Sequence, residues 1–198
     1  MRKLFSLVIF IACLSVIGSS QVKPTPYDDA EAYAIYSTML FSEKPSKKEM
    51  TSKTVIQLET TTYPSFNDDD CLTPAKDEET LFAAAIASYR QLNKTPWLLQ
   101  RKFSTREPYE LLAKSDYQAF FRKGAPSGWE DFYAKYPGSG GVNELSAVGF
   151  NNDRTIAVLY VGDSCGALCG GGAYHFLSKK NGKWSEIPWH GSVCVWMS

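Results

Sequence analysis

The chain has 198 residues, and its 21 Lys and Arg residues balance 21 Asp and Glu residues. Nucleic-acid binding depends on neutralising many phosphates, and no basic stripe extends beyond Lys44 to Lys53, so we exclude a nucleic-acid partner. The length suits one domain, and a hydrophobic fraction of 44% suits a folded core.

The N-terminus is typical of a cleavable signal peptide. A short basic start precedes an apolar run from Leu4 to Ile17, which falls short of the roughly 20 residues that a membrane helix needs. Gly18 and Ser20 suit cleavage near Ser20. We therefore expect residues 1–20 to be removed, which leaves a periplasmic or secreted protein with no membrane span in the mature chain. A retained anchor, or a lipid anchor at Cys13, would tether the same domain.

The cysteines indicate disulfide chemistry. Removal of the signal peptide takes one of the five cysteines and leaves an even number in an oxidising compartment. The remaining cysteines are Cys71, Cys165, Cys169 and Cys194. They predict two disulfides, and the count alone leaves three pairings open.

Capping signals and apolar spacing predict four helices after a leader at residues 21–27. The signals are Asp28 with Glu31, Thr73 before Pro74, Ser115 with Gln118, and Ser127 with Glu130. The helices are expected to end near Phe41, Asn93, Gly124 and Pro137-Gly138. In the fourth helix, Trp129, Phe132, Tyr133 and Tyr136 are spaced to face the core.

Strand patterns dominate the C-terminal half. The strands are predicted at 54–62, 144–150, 155–161, 173–178, 183–187 and 193–197. The apolar run from Thr155 to Val161 predicts a strand buried on both faces, and Asn181-Gly182 predicts a tight hairpin. A glycine-rich loop is expected between these two features. Residues 28–198 are therefore predicted to form a single α+β domain, with N-terminal helices packed on a C-terminal antiparallel meander.

One set of motifs extends through the C-terminal half. It comprises Trp129-Glu130-x-Phe132-Tyr133, Tyr136-Pro137, Gly140, Leu145-Ser146-x-Val148-Gly149-Phe150-Asn151, Cys165-Gly166-x-Leu168-Cys169-Gly170-x-Gly172, Lys183-Trp184 and Trp196-x-Ser198. In these motifs the chain resembles a family of exported bacterial proteins with no assigned activity. Weaker similarity reaches back through Thr60-Thr61-Thr62 to Tyr33 and Tyr36.

The resemblance implies export and one domain, and it transfers no catalytic residue. It also implies a disulfide pairing. Members of the family usually lack cysteines at positions like Cys71 and Cys194, so these two are expected to pair with each other, and Cys165 with Cys169. The chain-entropy relation gives about 2 kcal/mol for the short loop and about 5 kcal/mol for the long one.

The densest cluster of chemically active residues runs from Asp163 to Gly172, with two histidines beyond it. A zinc site would draw on Cys165, Cys169, His175, His190 and Cys194, but the spacing is not a standard one. A redox site would normally have two residues between its cysteines, and here there are three. A phosphate cradle is excluded because no helix and no lysine follow the glycines.

We favour a structural interpretation of this cluster, in which the glycines adopt positive φ angles in a loop held by a cystine. The acidic run from Asn67 to Asp70 could contact calcium, but it lacks the glycine and the closing glutamate of an EF-hand. No metal site, cofactor or catalytic residue is therefore assigned.

Three functional hypotheses remain. The first is a non-catalytic exported domain that binds an unknown protein or a cell-envelope ligand through the glycine loop or the region of Trp184, Trp189 and Trp196. The second is a hydrolase that uses Ser164 or Cys165 with His175. The third is a stable fold with an assembly or stress role and no small-molecule site.

Overall fold

The computed structural model describes residues 24–41, 44–48, 51–62, 71–122, 128–188, 190–191 and 195–198. The helices in these ranges are α1 (Ala30–Leu40), α2 (Glu79–Leu92), α3 (Lys114–Phe121) and α4 (Gly128–Lys135). The strands are β1 (Thr25–Pro26), β2 (Thr54–Gln57), β3 (Trp97–Leu98), β4 (Tyr109–Leu112), β5 (Val142–Leu145), β6 (Gly149–Phe150), β7 (Ile156–Gly166), β8 (Cys169–Lys180), β9 (Lys183–Glu186) and β10 (Val195–Met197). No helix in this part of the chain is long and apolar enough to cross a membrane.

The protein is α+β, and its large sheet is mixed. The sheet has eight strands, in the order β10-β8-β7-β5-β2-β4, with β6 paired to β7 and β9 to β8. Strands β7, β8 and β9 form the expected antiparallel meander, whereas β2 runs parallel to both β4 and β5. The predicted packing of N-terminal helices on a C-terminal antiparallel meander is not confirmed for the sheet as a whole, because long connections containing helices separate β2, β4 and β5, and such connections allow parallel pairing.

Helices cover both faces of the sheet. In β7, Ala157 and Leu159 belong to a core cluster shared with α1, whereas Ile156 and Val158 belong to a cluster shared with α2. Successive residues of a strand point to opposite faces, so α1 lies on one face and α2 on the other. The predicted burial of this strand on both faces is confirmed, because residues 156–160 are all buried.

Helix α1 begins one residue later than its sequence signal indicates. The carboxylate of Asp29, not Asp28, accepts hydrogen bonds from the backbone N–H groups of Glu31 and Ala32, both at 3.1 Å. The chain leaves the helix at Phe41. The predicted end of this helix is therefore confirmed, and its N-cap is corrected.

Helix α2 also differs from its prediction at the N-terminus. It begins at Glu79, and Glu78 occupies the N-cap without a side-chain hydrogen bond, so Thr73 and Pro74 precede the helix. It ends at Leu92, with Asn93 as the C-cap, where the sequence places its end. The X-Pro signal at this end is local, whereas the start depends on how the preceding segment packs.

Helices α3 and α4 form an aromatic cluster. Ala113 caps α3 and makes no side-chain hydrogen bond, so the predicted cap at Ser115 is wrong, and Ser127 and Gly124 lie outside the described residues. Phe132 and Tyr136 are buried, as predicted, against Val55, Leu112 and Val142 of the sheet. Trp129 and Tyr133 pack at the edge of this cluster.

The predicted strand at 144–150 is split into β5 and β6 by residues 146–148, and side chains from elsewhere satisfy the backbone of this break. Asn93 accepts from the Ala147 N–H at 2.8 Å and donates to the Ala147 carbonyl at 3.0 Å. The Tyr27 hydroxyl accepts from the Val148 N–H at 3.0 Å. Buried backbone groups require such partners.

The tight hairpin at Asn181-Gly182 is confirmed. Both residues have positive φ, 51° and 76°, and they join β8 to β9 with Lys180 opposite Lys183. This is the combination that a two-residue type I′ turn requires.

Candidate functional site

The residues from Asp163 to Gly172 form the end of a long hairpin, not a loop. Ser164 pairs with Gly170, and Gly166 pairs with Cys169. Cys165 and Cys169 form a disulfide across this end, with their Cα atoms 5.0 Å apart. Neither sulfur is then a free thiolate for zinc binding or for nucleophilic attack.

The structure does not bring Ser164 and His175 together. On β7 and β8, Ser164 pairs with Gly170 and Leu159 with His175, so five rungs of the ladder separate the two residues. Five is odd, so their side chains also point to opposite faces of the sheet. His175 instead contacts Glu186 through its Nδ1.

The remaining candidate ligands also lie apart. His190 bonds Glu78 through Nδ1 at 2.6 Å, while Cys194 and the Asn67 to Asp70 segment lie outside the described residues. Within the ranges that the structure covers, no group of three or more His, Cys, Asp or Glu residues could hold a metal ion. Cys71 is buried and disulfide-bonded, and its pairing with Cys194 stays a prediction.

The glycines of this hairpin do not adopt the positive φ angles that we expected. Positive φ among the described glycines occurs at Gly138, Gly141 and Gly182. Gly172 is needed for a close approach instead, because a Cβ there would lie 2.1 Å from the Tyr160 hydroxyl and 2.6 Å from Trp196 Nε1. The expected positive φ angles are therefore wrong for this segment, whereas the expected cystine between Cys165 and Cys169 is present.

The expected tryptophan surface is not an exposed patch. Trp184 is half-buried and packs against Phe150, with ring centroids 5.7 Å apart. Trp196 is also half-buried and hydrogen-bonds Tyr160, and Trp189 lies outside the described residues. These side chains stabilise the sheet more than they offer a surface.

A polar cleft of about 750 Å³ lies elsewhere, at the carboxyl ends of the parallel strands β2, β4 and β5. In sheets with parallel strands, this end is where ligands commonly bind. Its lining residues are Pro24, Gln57, Glu59, Thr60, Thr61, Thr62, Pro96, Lys114, Tyr117, Gln118 and Glu144. We call this feature the polar cleft.

Each wall of the polar cleft follows from the topology. Gln57 is the last residue of β2, and the chain beyond it carries the three threonines. Strand β4 ends at Leu112 and leads directly into α3. Lys114, Tyr117 and Gln118 stand at positions i, i+3 and i+4 of that helix, so they share one helix face.

Glu144 is an acid of the cleft whose pKa is shifted by its surroundings. Burial raises the pKa of its carboxyl, against the opposing effects of the Lys114 charge and of a hydrogen bond from Gln57. That hydrogen bond joins Gln57 Nε2 to Glu144 Oε1 at 2.6 Å. A perturbed carboxyl that lines a cleft is a recognised mark of a functional site.

The second carboxylate, Glu59, is engaged by the start of α3. Its Oε2 accepts a hydrogen bond from the Lys114 backbone N–H at 2.8 Å. An acid at a helix N-terminus is favoured by the helix dipole. The two carboxylates of the cleft are thus held by different partners.

Tyr117 connects the cleft to the disulfide hairpin. Burial raises the pKa of its hydroxyl, which also hydrogen-bonds Ser164. The ring makes an edge-on contact with Phe121, at a centroid distance of 5.1 Å. Ser164 is therefore next to a cleft side chain, a location that the sequence did not suggest.

A shallower groove of about 250 Å³ includes Asp163, His175 and Val195. Its open side carries Met197, which is 85% exposed. The smaller volume and the open shape make it a weaker candidate than the polar cleft.

The polar cleft was not predicted from the sequence, because no local sequence pattern indicates that β2, β4 and β5 are neighbours. Two features of the predicted elements were relevant: Thr60-Thr61-Thr62 at the end of a strand, and Glu144 as the one charged residue of a largely apolar strand. A charged residue in such a strand was the usable signal.

Comparison of the chain with protein-family models, curated proteins and solved structures finds no match.

Proposed function

We propose that this chain is an exported, non-catalytic domain that binds a small polar ligand of the cell envelope or its surroundings in the polar cleft. One observation carries the proposal: three strand ends and one helix face converge on a cleft that holds the half-buried acid Glu144. Such convergence of polar groups in one concavity is typical of a ligand site.

The size of the cleft supports this function. Its volume of about 750 Å³ falls within the range of about 300–1,000 Å³ that is usual for small-molecule sites. Its side chains are anchored by contacts such as the one between Gln57 and Glu144, so little ordering is needed when a ligand binds.

The export part of the proposal rests on the signal-peptide pattern of residues 1–20, on the resemblance to exported bacterial proteins, and on the disulfide chemistry. The Cys165–Cys169 bond is compatible with an oxidising compartment. N-terminal sequencing of protein recovered outside the cytoplasm is expected to begin at Gln21. Recovery of the intact N-terminus from the cytoplasm would contradict export.

The hydrolase alternative gains no support from the geometry. Ser164 and His175 lie on opposite faces of the sheet, and Cys165 is bonded to Cys169. A nucleophile and its base must lie within hydrogen-bond reach, about 3 Å. A binding role is therefore the better account of the described residues.

A thermal-shift panel tests the binding proposal. The probes are maltotriose, spermidine, glutamate, inorganic phosphate and AMP, applied to the mature protein. We expect at least one of these probes to raise the midpoint temperature of unfolding by about 2 °C or more at saturating concentration. A ligand that binds only the folded state stabilises that state.

Two substitutions locate the effect. Gln118→Trp places a large ring on the cleft face of α3, and Gln91→Trp places the same ring on an exposed position of α2. The shift is expected to persist in Gln91→Trp and to disappear in Gln118→Trp. No response from any probe, or an equal response in both variants, would overturn the proposal.

A further inference from the structure

The polar cleft is rich in side chains that both donate and accept hydrogen bonds. Nine of its eleven lining residues carry polar side chains, and the other two are prolines. Gln118, Thr61 and Thr62, which are exposed or half-buried, each offer a donor and an acceptor. A ligand whose own groups do both, such as a hydroxyl, can use this set fully.

The cleft is lined by two carboxylates and one ammonium group, and each carboxylate has a partner within the cleft. Glu59 accepts a hydrogen bond from the backbone at Lys114, and the ammonium charge of Lys114 acts on Glu144. With the Gln57 amide also donating to Glu144, neither sign of charge is left in large excess. An anion would meet two carboxylates, and a cation would meet the lysine, so the cleft favours a neutral ligand.

Tyr117 adds an aromatic surface to this polar lining. Its ring is held by edge contacts with Phe121 at 5.1 Å and with Trp129 at 6.4 Å, and its hydroxyl interacts with Ser164. Tyrosine joins an apolar ring to a polar tip, which suits a ligand with both C–H faces and hydroxyls.

From these features we infer that the polar cleft binds a neutral oligosaccharide, with Glu144 and Gln57 holding sugar hydroxyls and Tyr117 packing against a sugar ring. This inference rests on the proposed function, since it names the ligand class of the same cleft. A saccharide matches each property: many hydroxyls that donate and accept, no net charge, and apolar C–H faces.

Saturation-transfer NMR and calorimetry test the inference on the mature protein. The probes are maltotriose, cellotriose and chitotriose, with spermidine and inorganic phosphate as charged comparisons. We expect at least one trisaccharide to bind. Its affinity should change less than about twofold between about 0.05 M and about 0.5 M NaCl, because a neutral ligand makes no charge–charge attraction that salt could screen.

Substitution at Glu144 provides the residue-level readout. Glu144→Gln keeps the size of the side chain and its acceptor for Gln57, but it removes the charge that strengthens a bond to a sugar hydroxyl. We expect the affinity to fall about tenfold, the equivalent of about 1.4 kcal/mol. The matched control Glu186→Gln, on β9 outside the cleft, should bind as the native protein does.

The outcomes distinguish the inferred ligand class, a neutral oligosaccharide, from the proposed function, ligand binding in the polar cleft. If spermidine or phosphate binds, no trisaccharide does, and Gln118→Trp abolishes that binding, the ligand class is wrong and the cleft remains a site. If no probe binds at all, both are overturned. Trisaccharide binding that survives Gln118→Trp and Glu144→Gln unchanged would also overturn the inference, because the site would lie elsewhere.

Discussion

The indole Nε1 of Trp196 donates a hydrogen bond of 2.6 Å to the Tyr160 hydroxyl. Strand β8, which carries Gly172, lies between the two strands that hold these side chains. Trp196 of β10 lies opposite Gly172 of β8, and Tyr160 of β7 lies near that glycine. Only a residue without a Cβ leaves room for this contact. The C-terminal strand is thus fastened to the sheet through a glycine.

The first prediction concerns this glycine. In Gly172→Ala, the new Cβ would lie 2.1 Å from the Tyr160 oxygen, so the tyrosine or Trp196 must move. We expect the free energy of unfolding to fall by about 1–3 kcal/mol, as measured by urea denaturation. Gly140→Ala is the control, since a Cβ at Gly140 meets nothing within 4 Å. An equal loss in both variants would contradict the assigned cause.

The second prediction concerns Asn93, which is 4% exposed and holds the break between β5 and β6. Asn93→Ala removes both hydrogen bonds to Ala147 and leaves buried backbone groups without that partner. We expect a loss of about 2–4 kcal/mol in the free energy of unfolding, measured by urea denaturation. Gln91→Ala, two residues earlier and exposed, should change it by less than about 0.5 kcal/mol. A native-like Asn93→Ala would show that the break needs no support.

The third prediction concerns Arg154, which joins the start of α1 to the turn before β7. Its guanidinium bonds Asp29 at 2.7 Å and 2.8 Å and Glu31 at 2.6 Å, and it lies 3.8 Å from the Phe150 ring centroid. The side chain is 41% exposed, so solvent weakens these contacts. We expect Arg154→Ala to cost about 1–2 kcal/mol in the free energy of unfolding, measured by thermal and urea denaturation.

The backbone of Arg154 supplies a control. Its φ is 55°, a conformation that costs residues with a Cβ about 1 kcal/mol relative to glycine. Arg154→Gly should therefore be less destabilised than Arg154→Ala, although both lose the same ion pairs. The opposite order would contradict the assigned backbone strain, because the two variants differ only in the Cβ and in the freedom of the unfolded chain.

The fourth prediction concerns Glu144 and pH. Burial raises the pKa of this carboxyl in the folded protein, so the folded state binds its proton more tightly than the unfolded state does. The cost of holding the charged form is therefore present above the folded pKa, and it is relieved as the pH falls through that value. Glu144→Gln removes the cost at all pH values.

We expect Glu144→Gln to be more stable than the native protein in urea at neutral pH, and the difference to vanish in acid, below the pKa of the unfolded chain. A constant difference across the whole pH range would contradict the assigned burial effect.

The fifth prediction concerns the cysteines. Intact mass after thiol alkylation should show no modification at Cys71, Cys165 or Cys169 before reduction. Replacing both Cys165 and Cys169 by Ser should cost about 2 kcal/mol at most, because the loop they close is short. Peptide mapping should recover Cys71 linked to Cys194, and a different partner would refute that pairing.

Local signals predicted some elements well and others poorly. The end of α2 at Asn93 and the hairpin at Asn181-Gly182 were predicted because proline and glycine act on their immediate neighbours. Strand β4 was missed, since its four residues, Tyr109–Leu112, are too few to show a period. The start of α2 was placed too early because capping residues also occur in turns that no helix follows.

By itself, the sequence determined what depends on near neighbours: the turn chemistry at Asn181-Gly182, the apolar run buried on both faces of β7, and the α+β class. Only the tertiary structure decided that β2 lies between β4 and β5, in parallel with both. Strand neighbours distant in sequence are chosen by packing over the whole core, and no local pattern encodes that choice. The polar cleft, and the burial that raises the pKa of Glu144, exist because of it.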